Sequence, residues 1–284
     1  MRNTARLLIA CPDTRGIVAA VAGFIAEHGG NLLDADQHTD KDHGEFFMRA
    51  AIERPGFGLT PDTFASAWES VARRFRMDWR IFWGEPVKRM AVVVSRQLHC
   101  LSDLLWRWRS GELDVDIPLI VSNHPDAAGL ARDAGVPFEC CPVSPQNKPA
   151  QEGRVLGLLA DAKVDYVVLA RYMQILSGDF IARYPNAIIN IHHSFLPAFA
   201  GGSPYQQAYD RGVKMIGATS HYVTEQLDAG PIIAQEAVPT SHRDTVEDLI
   251  RKGRDLERIV LARAVRLHID DKILVSQNKT VVFD

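Results

Sequence analysis

The chain has 284 residues, of which 46% are apolar and 24% charged, a composition typical of folded globular proteins. A chain of this length is consistent with about two domains. Its formal net charge of −3 excludes the strongly basic surface that a nucleic-acid-binding domain needs, so no nucleic-acid partner is expected.

No stretch of the sequence predicts a membrane or export segment. The apolar run Leu7–Cys11 is too short for a signal peptide, and Asp13 and Arg15 follow it at once. No apolar run approaches the roughly 18 residues of a membrane-spanning helix. The four cysteines, at positions 11, 100, 140 and 141, form no CxxC pattern. These features predict a cytoplasmic protein with reduced thiols.

Residues 1–84 predict a ferredoxin-like domain with the element order β-α-β-β-α-β. One helix follows from the spacing of apolar residues after Ile17, and Gly29-Gly30 ends it. A second helix is predicted at Pro61–Phe75, with Thr60 as its N-cap. Strands are predicted around these helices at residues 6–10, 31–39, 45–52 and 77–83.

Residues 85–89 predict a linker, and residues 90–284 predict a second domain. Its strands are continuous apolar runs, at residues 90–94, 117–121, 164–170 and 187–191, which alternate with helical stretches. This alternation is typical of a doubly wound, mostly parallel Rossmann-like sheet. A capping box at Asp244–Glu247 begins a long helix that reaches about Leu267, and residues 272–283 predict a closing hairpin.

Three polar side chains predict a catalytic centre. Asn190 and His192 lie at the end of the apolar run 187–191, and on a strand their side chains point the same way. Asp228 comes later, just before an Ala-Gly-Pro turn. An amide, an imidazole and a carboxylate can together hold a carbonyl oxygen, move a proton and orient the group that moves it. The carboxyl edge of an open α/β sheet is also where ligands bind.

His193 and His221 flank these three residues and are predicted to support them. On residue type alone, an adjacent histidine pair such as His192 and His193 is more often the polar end of a strand than a site, and residues 227–231 have the composition of an ordinary turn. A metal site is not predicted, because adjacent histidines diverge and the sequence has no HExxH or cysteine–histidine cluster.

A second group of residues predicts a binding surface after the apolar run 164–170. Its apolar side chains and free backbone groups suit a flat heteroaromatic ring. The alternative is the start of a helix whose apolar residues belong to the core. The residues are Arg171, Met173, Gln174, Ile175 and Leu176.

Together these motifs resemble the formyltransferase family that uses 10-formyltetrahydrofolate. The resemblance covers roughly residues 88–284, and residues 1–84 resemble an ACT domain. An ACT domain ahead of such a catalytic domain is the arrangement of the deformylases within that family. The motifs are Asn190-Ile-His192, Ser194-Phe-Leu-Pro197, residues 173–176, His221 with Leu-Asp228-Ala-Gly-Pro, and Cys-Pro-Asp-Thr-Arg-Gly-Ile-Val at 11–18.

The resemblance implies hydrolysis of 10-formyltetrahydrofolate to tetrahydrofolate and formate, which supplies formate for purine synthesis and balances the one-carbon pool. Glycinamide ribonucleotide formyltransferases carry a glycine-rich phosphate loop after their first strand. Here the segment from Ser95 has no glycine before Gly111, and residues 99–105 resemble the deformylases. Water is therefore the expected acceptor, and no tightly bound cofactor is implied.

The resemblance also implies roles for individual residues. Asn190 and a protonated His192 donate to the oxyanion, while Asp228 orients His192 and the water. The pterin is expected to lie against residues 173–176, mostly through backbone contacts. Two departures leave the finer substrate contacts open: Ala229 stands where an acidic residue is common, and the loop 200–203 is a variant.

The ACT-like domain is expected to bind an amino-acid effector, with glycine and methionine as candidates. Asp13, Arg15 and Gly16 precede the first helix, whose free N–H groups can receive a carboxylate, and Asn31 is assigned to the same site. Because ACT units often pair edge to edge, a homo-oligomer is expected. A purely structural dimerisation domain is the alternative.

Two other functions stay open on the sequence alone. One is formyl transfer to an amine acceptor, against which the missing glycine loop argues. The other is an inert amino-acid- and folate-sensing module, against which the intact Asn190, His192 and Asp228 argue.

Overall fold

A computed structural model describes residues 3–197 and 204–283. The chain divides into two compact units, one built mainly from the residues before Lys88 and the other mainly from Lys88–Ile269. Among the described helices, none combines the length and the apolarity needed to cross a membrane.

The first unit contains the four-stranded antiparallel sheet and two helices that the sequence predicts. The sheet order is β2-β3-β1-β4, so the chain has the β-α-β-β-α-β order of an ACT-like fold. Aromatic side chains of α2, led by the fully buried Trp68 and Phe64, fill the core. The elements are β1 (Thr4–Pro12), α1 (Ile17–Glu27), β2 (Asn31–Asp40), β3 (Glu45–Glu53), α2 (Pro61–Phe75) and β4 (Asp78–Phe82).

Both helices of this unit begin where local chemistry favours a helix start. Gly16, directly before α1, has a φ of 93°, which L-residues with a side chain rarely adopt. At the start of α2, the Thr60 N–H donates to the hydroxyl of Thr63, and Pro61 needs no hydrogen-bond acceptor. The predicted N-terminus of α2 is confirmed.

The C-terminal residues belong to the first unit, whereas the sequence placed them in the second domain. Residues 270–276 and 281–283 group with the ACT-like sheet. Leu274 and Phe283 pack against Leu8 and Phe47. The Arg49 guanidinium donates to the backbone carbonyls of the aspartates at 270 and 271. These long-range contacts, with no local sequence signal, decide where the closing hairpin of β12 (Ile273–Ser276) and β13 (Lys279–Val282) lies.

The second unit contains a seven-stranded, mostly parallel sheet of order β11-β10-β9-β8-β5-β6-β7. The five strands β5–β9 are parallel, and β10 and β11 are antiparallel additions at one edge. The strand order reverses between β5 and β8, which is the position where open α/β sheets bind ligands. The strands are β5 (Arg89–Val94), β6 (Asp116–Ser122), β7 (Phe138–Cys140), β8 (Tyr166–Ala170), β9 (Ile188–His192), β10 (Met215–Tyr222) and β11 (Ile232–Pro239).

The helices of the second unit agree with the apolar spacing in most places. The capping box of the last helix lies one residue later than predicted, because Thr245 and Asp248 exchange the reciprocal hydrogen bonds. The apolar spacing of this helix predicts that Ile259 lies on its buried face, but Ile259 is exposed. The helices are α3 (His99–Arg109), α4 (Ala128–Ala134), α5 (Lys148–Asp161), α6 (Gly178–Ala182), α7 (Pro204–Arg211) and α8 (Val246–Ile269).

Candidate active site

A pocket opens beside the switch in strand order, at the ends of β8 and β9. Residues 171–176 after β8, residues 190–193 at the end of β9, and the segment 223–228 after β10 line it. The predicted catalytic trio and the predicted binding surface therefore face the same cavity, although 57 residues (228 − 171) of sequence separate their outermost members.

Asn190 is fixed by His221, its direct partner across β9 and β10. The Nδ1 of His221 lies 2.8 Å from the backbone carbonyl of Tyr222, which can only accept, so this nitrogen carries the proton. Burial lowers the pKa of His221, which keeps the ring neutral and leaves Nε2 as an acceptor. The amide nitrogen of Asn190 donates to that Nε2 at 3.2 Å. One amide hydrogen and the amide oxygen of Asn190 remain for a ligand.

His192 is held by Asp228. The Nδ1 of His192 lies 3.3 Å from Oδ2 of Asp228, and the hydrogen bond between them lowers the pKa of Asp228 below its ordinary value. Asp228 is therefore a carboxylate at neutral pH, and it selects the tautomer of His192 with the proton on Nδ1. The opposite nitrogen, Nε2, is buried and has no hydrogen-bond partner in the described chain. That nitrogen is free to serve a ligand in the pocket.

The turn that carries Asp228 packs so closely that it needs a glycine at position 230. Asp228 has a φ of 54°, a left-handed conformation that Asp adopts more readily than most residues. A Cβ on Gly230 would lie only 1.8 Å from the backbone oxygen of Tyr222. The turn thus packs backbone against backbone, and the N–H of Tyr222 donates to the carbonyl of Pro231 at 2.9 Å. Glycine is required here to bring the carboxylate to His192.

His193 is a neutral neighbour of the trio. Burial, and next the positive charge of Arg171, lower its pKa from 6.5 to about 4. Its ring centroid lies 5.0 Å from that of His192. His193 and His221 are therefore uncharged at neutral pH, and His192 is the imidazole that forms a hydrogen bond with the Asp228 carboxylate.

The predicted binding surface forms an apolar lip of the pocket. Met173 and Ile175 each expose 57% of their surface, an unusual exposure that suits the face of a ring. The backbone N–H of Met173 donates to the hydroxyl of Ser95 at 3.3 Å, and that hydroxyl donates to Asn123 at 2.7 Å. Ser95 therefore positions the lip, a role that the sequence did not predict.

A buried charged cluster beside the pocket was also not predicted from the sequence. Glu257 of α8 is 1% exposed and accepts hydrogen bonds from His99 and Tyr205, both at 2.7 Å. Burial alone would raise the pKa of Glu257, but His99, Arg171 and Tyr205 together lower it. The sequence feature that could have revealed this cluster is an acidic residue, Glu257, within the buried face of the amphipathic helix α8.

The cluster also brings three potential metal ligands together. Atoms of His99, Cys100 and Glu257 lie within 4.8 Å of one another. Burial, the largest cause, raises the pKa of the Cys100 thiol, and the Arg171 guanidinium lies 3.4 Å from Glu257. A protonated thiol and an adjacent cation both oppose binding of a divalent metal ion.

The predicted effector residues lie in the first unit, at two separate places. Asp13, Arg15 and Gly16 are exposed in the loop between β1 and α1, near the start of β3. Asn31 pairs with the other end of β3, where its side chain donates to Glu53. The nine residues of β3 separate the two places by about 27 Å. One copy of the chain does not bring these four residues together.

The two departures from the family pattern have different outcomes. The loop 200–203 lies outside the described residues. Ala229 lies in the turn after Asp228, and its backbone carbonyl accepts a hydrogen bond from Asn278 at 2.8 Å. Its contribution to the turn is therefore made by the backbone.

Comparisons with known proteins agree with this architecture. The sequence model of the family described as "Formyl transferase" matches residues 88–265, and that of the ACT domain matches residues 5–55. A formyltetrahydrofolate deformylase of Synechocystis is 55% identical over 100% of both chains. A deformylase structure from Pseudomonas syringae has a TM-score of 0.96 at 50% identity and covers 99% of this chain and 94% of that one.

Similarity to amine-formylating relatives is confined to part of the chain. The structure of a glycinamide ribonucleotide transformylase from Symbiobacterium toebii has a TM-score of 0.65 at 35% identity. It covers 70% of this chain and 95% of that one. The similarity to the deformylases extends through both units.

Proposed function

This chain belongs to the formyl transferase family and hydrolyses formyltetrahydrofolate, and we propose that Asn190, His192 and Asp228 remove the formyl group from N10. The observation that carries this assignment is the state of His192. His192 lines the pocket, its Nδ1 is bound to the Asp228 carboxylate, and its buried Nε2 has no protein partner within the described chain.

The first step is attack of water on the formyl carbon. Nε2 of His192 accepts one proton from the water, and Asp228 stabilises the imidazolium that forms. The carbonyl oxygen becomes an oxyanion, to which the remaining amide hydrogen of Asn190 donates. A preorganised donor of this kind is typically worth about 10²–10³ in rate.

The second step is collapse of the tetrahedral intermediate. The bond between the carbon and N10 breaks, and the imidazolium of His192 returns its proton to the leaving nitrogen. The products are tetrahydrofolate and formic acid, which ionises to formate. No oxidant or reductant is consumed, and no tightly bound cofactor is needed.

Water as the acceptor is supported by the segment after β5, which contains no glycine between Ser95 and Gly111. In glycinamide ribonucleotide transferases this region would need free backbone donors for a phosphate. Here the Ser95 hydroxyl is committed to Asn123 and to the N–H of Met173. The similarity to deformylases over both units favours hydrolysis over transfer to an amine.

The test is formate release by the purified protein from 10-formyltetrahydrofolate, with and without glycinamide ribonucleotide. We expect equal amounts of formate and tetrahydrofolate, with no formylated amine. Dialysis against a chelator should leave the rate unchanged. Formylation of the amine in place of formate release would refute the assignment.

The first unit is proposed to be a regulatory and oligomerisation domain for this enzyme. Strand β2 is an edge strand, and Leu33 on it is 53% exposed, so a second copy can pair with it. Pairing of copies could also supply Asn31 to the loop at Asp13–Gly16. Glycine or methionine is the proposed effector.

Two measurements test this role. Light scattering should give a mass of at least twice 31.6 kDa, and a charged Leu33→Glu variant should reduce it. Calorimetric titration should detect glycine or methionine at millimolar concentration. A monomer that binds neither amino acid would refute both parts. In the cytoplasm, the formate released would supply purine synthesis, so removal of the protein from its host should lower the formate pool.

A further inference from the structure

Arg171 lines the pocket and carries a cationic donor that no described residue uses. Its residue surface is only 6% exposed, and it directly follows β8 with a left-handed φ of 63°. Nη2 donates to Gln97 at 3.4 Å, and Nε lies 3.4 Å from the carboxylate of Glu257. Nη1 is buried and has no hydrogen-bond partner in the described chain. Burial of a charged donor without a partner is costly, so a ligand group is expected there.

The surroundings indicate the charge of that ligand. Glu257 is fixed by His99 and Tyr205, so it anchors Arg171 by one edge of the guanidinium and leaves another edge free. The neighbouring His193 is neutral at neutral pH. Among the described residues that line the pocket with His192, the Arg171 guanidinium carries the permanent positive charge, and it suits a small carboxylate.

The reaction produces such an anion next to a repelling group. Formate is released where the Asp228 carboxylate is bound to His192, and like charges in a partly buried site oppose each other. Building on the proposed function, we infer that Arg171, positioned by Glu257, forms a subsite that receives the formate ion after the C–N bond breaks. One proton of the attacking water goes to N10, and the other dissociates from formic acid to solvent.

The subsite can be tested without turnover. Carbon-13-labelled sodium formate is titrated into the unliganded protein and followed by NMR line width, with sodium chloride as the ionic-strength control. The test variant is Arg171→Gln combined with Glu257→Gln, which avoids leaving a buried carboxylate unpaired. Arg154→Gln is the matched control, because Arg154 forms only an exposed ion pair with Glu139.

We expect saturable formate binding by the wild-type protein and by Arg154→Gln, and binding about tenfold weaker or more in the double variant. Equal affinity in a correctly folded double variant, or no saturable binding by the wild type, would overturn the inference. If circular dichroism shows that the double variant is unfolded, the subsite is tested instead by soaking crystals of the wild type in formate. Density on Nη1 of Arg171 supports the subsite, and its absence there contradicts it.

Two further measurements test alternatives to the formate subsite. The KM for folate tests whether Arg171 contacts the folate itself, and formate release tests the proposed reaction. If a carboxylate of the folate contacts Arg171, the double variant would raise the KM for folate while formate binding stayed unchanged. That result would overturn the formate subsite. Conversely, a protein that binds formate at Arg171 but releases none from 10-formyltetrahydrofolate would refute the proposed function and leave the subsite standing.

Discussion

Replacing Asp228 by asparagine keeps the size of the side chain and removes its charge. In the folded protein, Oδ2 of Asp228 lies 3.3 Å from Nδ1 of His192, and the Asp228 side chain is 15% exposed. At that separation and an effective dielectric constant of about 20, the pair is worth roughly 5 kcal/mol once His192 is protonated. Loss of this stabilisation in the transition state corresponds to a fall of about 10³–10⁴ in kcat.

The assay for Asp228→Asn measures turnover and binding separately. Single-turnover formate release gives the chemical step, and fluorescence titration with a folate analogue that lacks the formyl group gives affinity. We expect slow chemistry with affinity within a few-fold of the wild type, because the apolar lip at residues 173–176 is unaltered. The exposed Asp161→Asn is the matched control. Chemistry within tenfold of the wild type would refute the role assigned to Asp228.

Three more predictions concern the same region. Asn190→Ala should lower kcat by about 10²–10³ with little change in folate affinity, which the same two assays measure. Gly230→Ala should cost about 1–3 kcal/mol of stability in urea unfolding and also reduce activity, because its Cβ meets the Tyr222 carbonyl. The pKa of His193 is about 4 in the folded protein and 6.5 in the free side chain. Between these pH values the unfolded state binds more protons, so the free energy of unfolding falls as the pH is lowered through this window. The total loss is up to about 3 kcal/mol, and His193→Asn should flatten the pH dependence of unfolding by that amount.

The parallel part of the sheet was predictable because its strands are continuous apolar runs. The antiparallel strand β10 was not, since polar residues fill its centre. Thr219 and Ser220 are fully buried, and their hydroxyls donate to the backbone carbonyls of Ser194 and Asn190. Such residues have the composition of a loop, and only the hydrogen bonds formed in the folded state make them core residues.

The convergence of Asn190, His192 and Asp228 on one pocket could be predicted because polar residues followed an apolar strand and matched a known pattern. The hydrogen bond from Asn190 to His221 depends on the register of β9 against β10, which no local pattern encodes. The same holds for Glu257, whose partners His99 and Tyr205 lie 158 and 52 residues away in the chain. Contacts of this range arise from the topology of the sheet and its helices.

The most direct test of the central claim is hydrolysis in water labelled with oxygen-18, with no amine present. Mass spectrometry of the product should show one labelled oxygen in each formate molecule, with the label appearing at the wild-type rate only when His192 and Asp228 are intact. Formate that carries no label, or labelled formate formed equally fast by a His192→Ala variant, would contradict water activation by this pair.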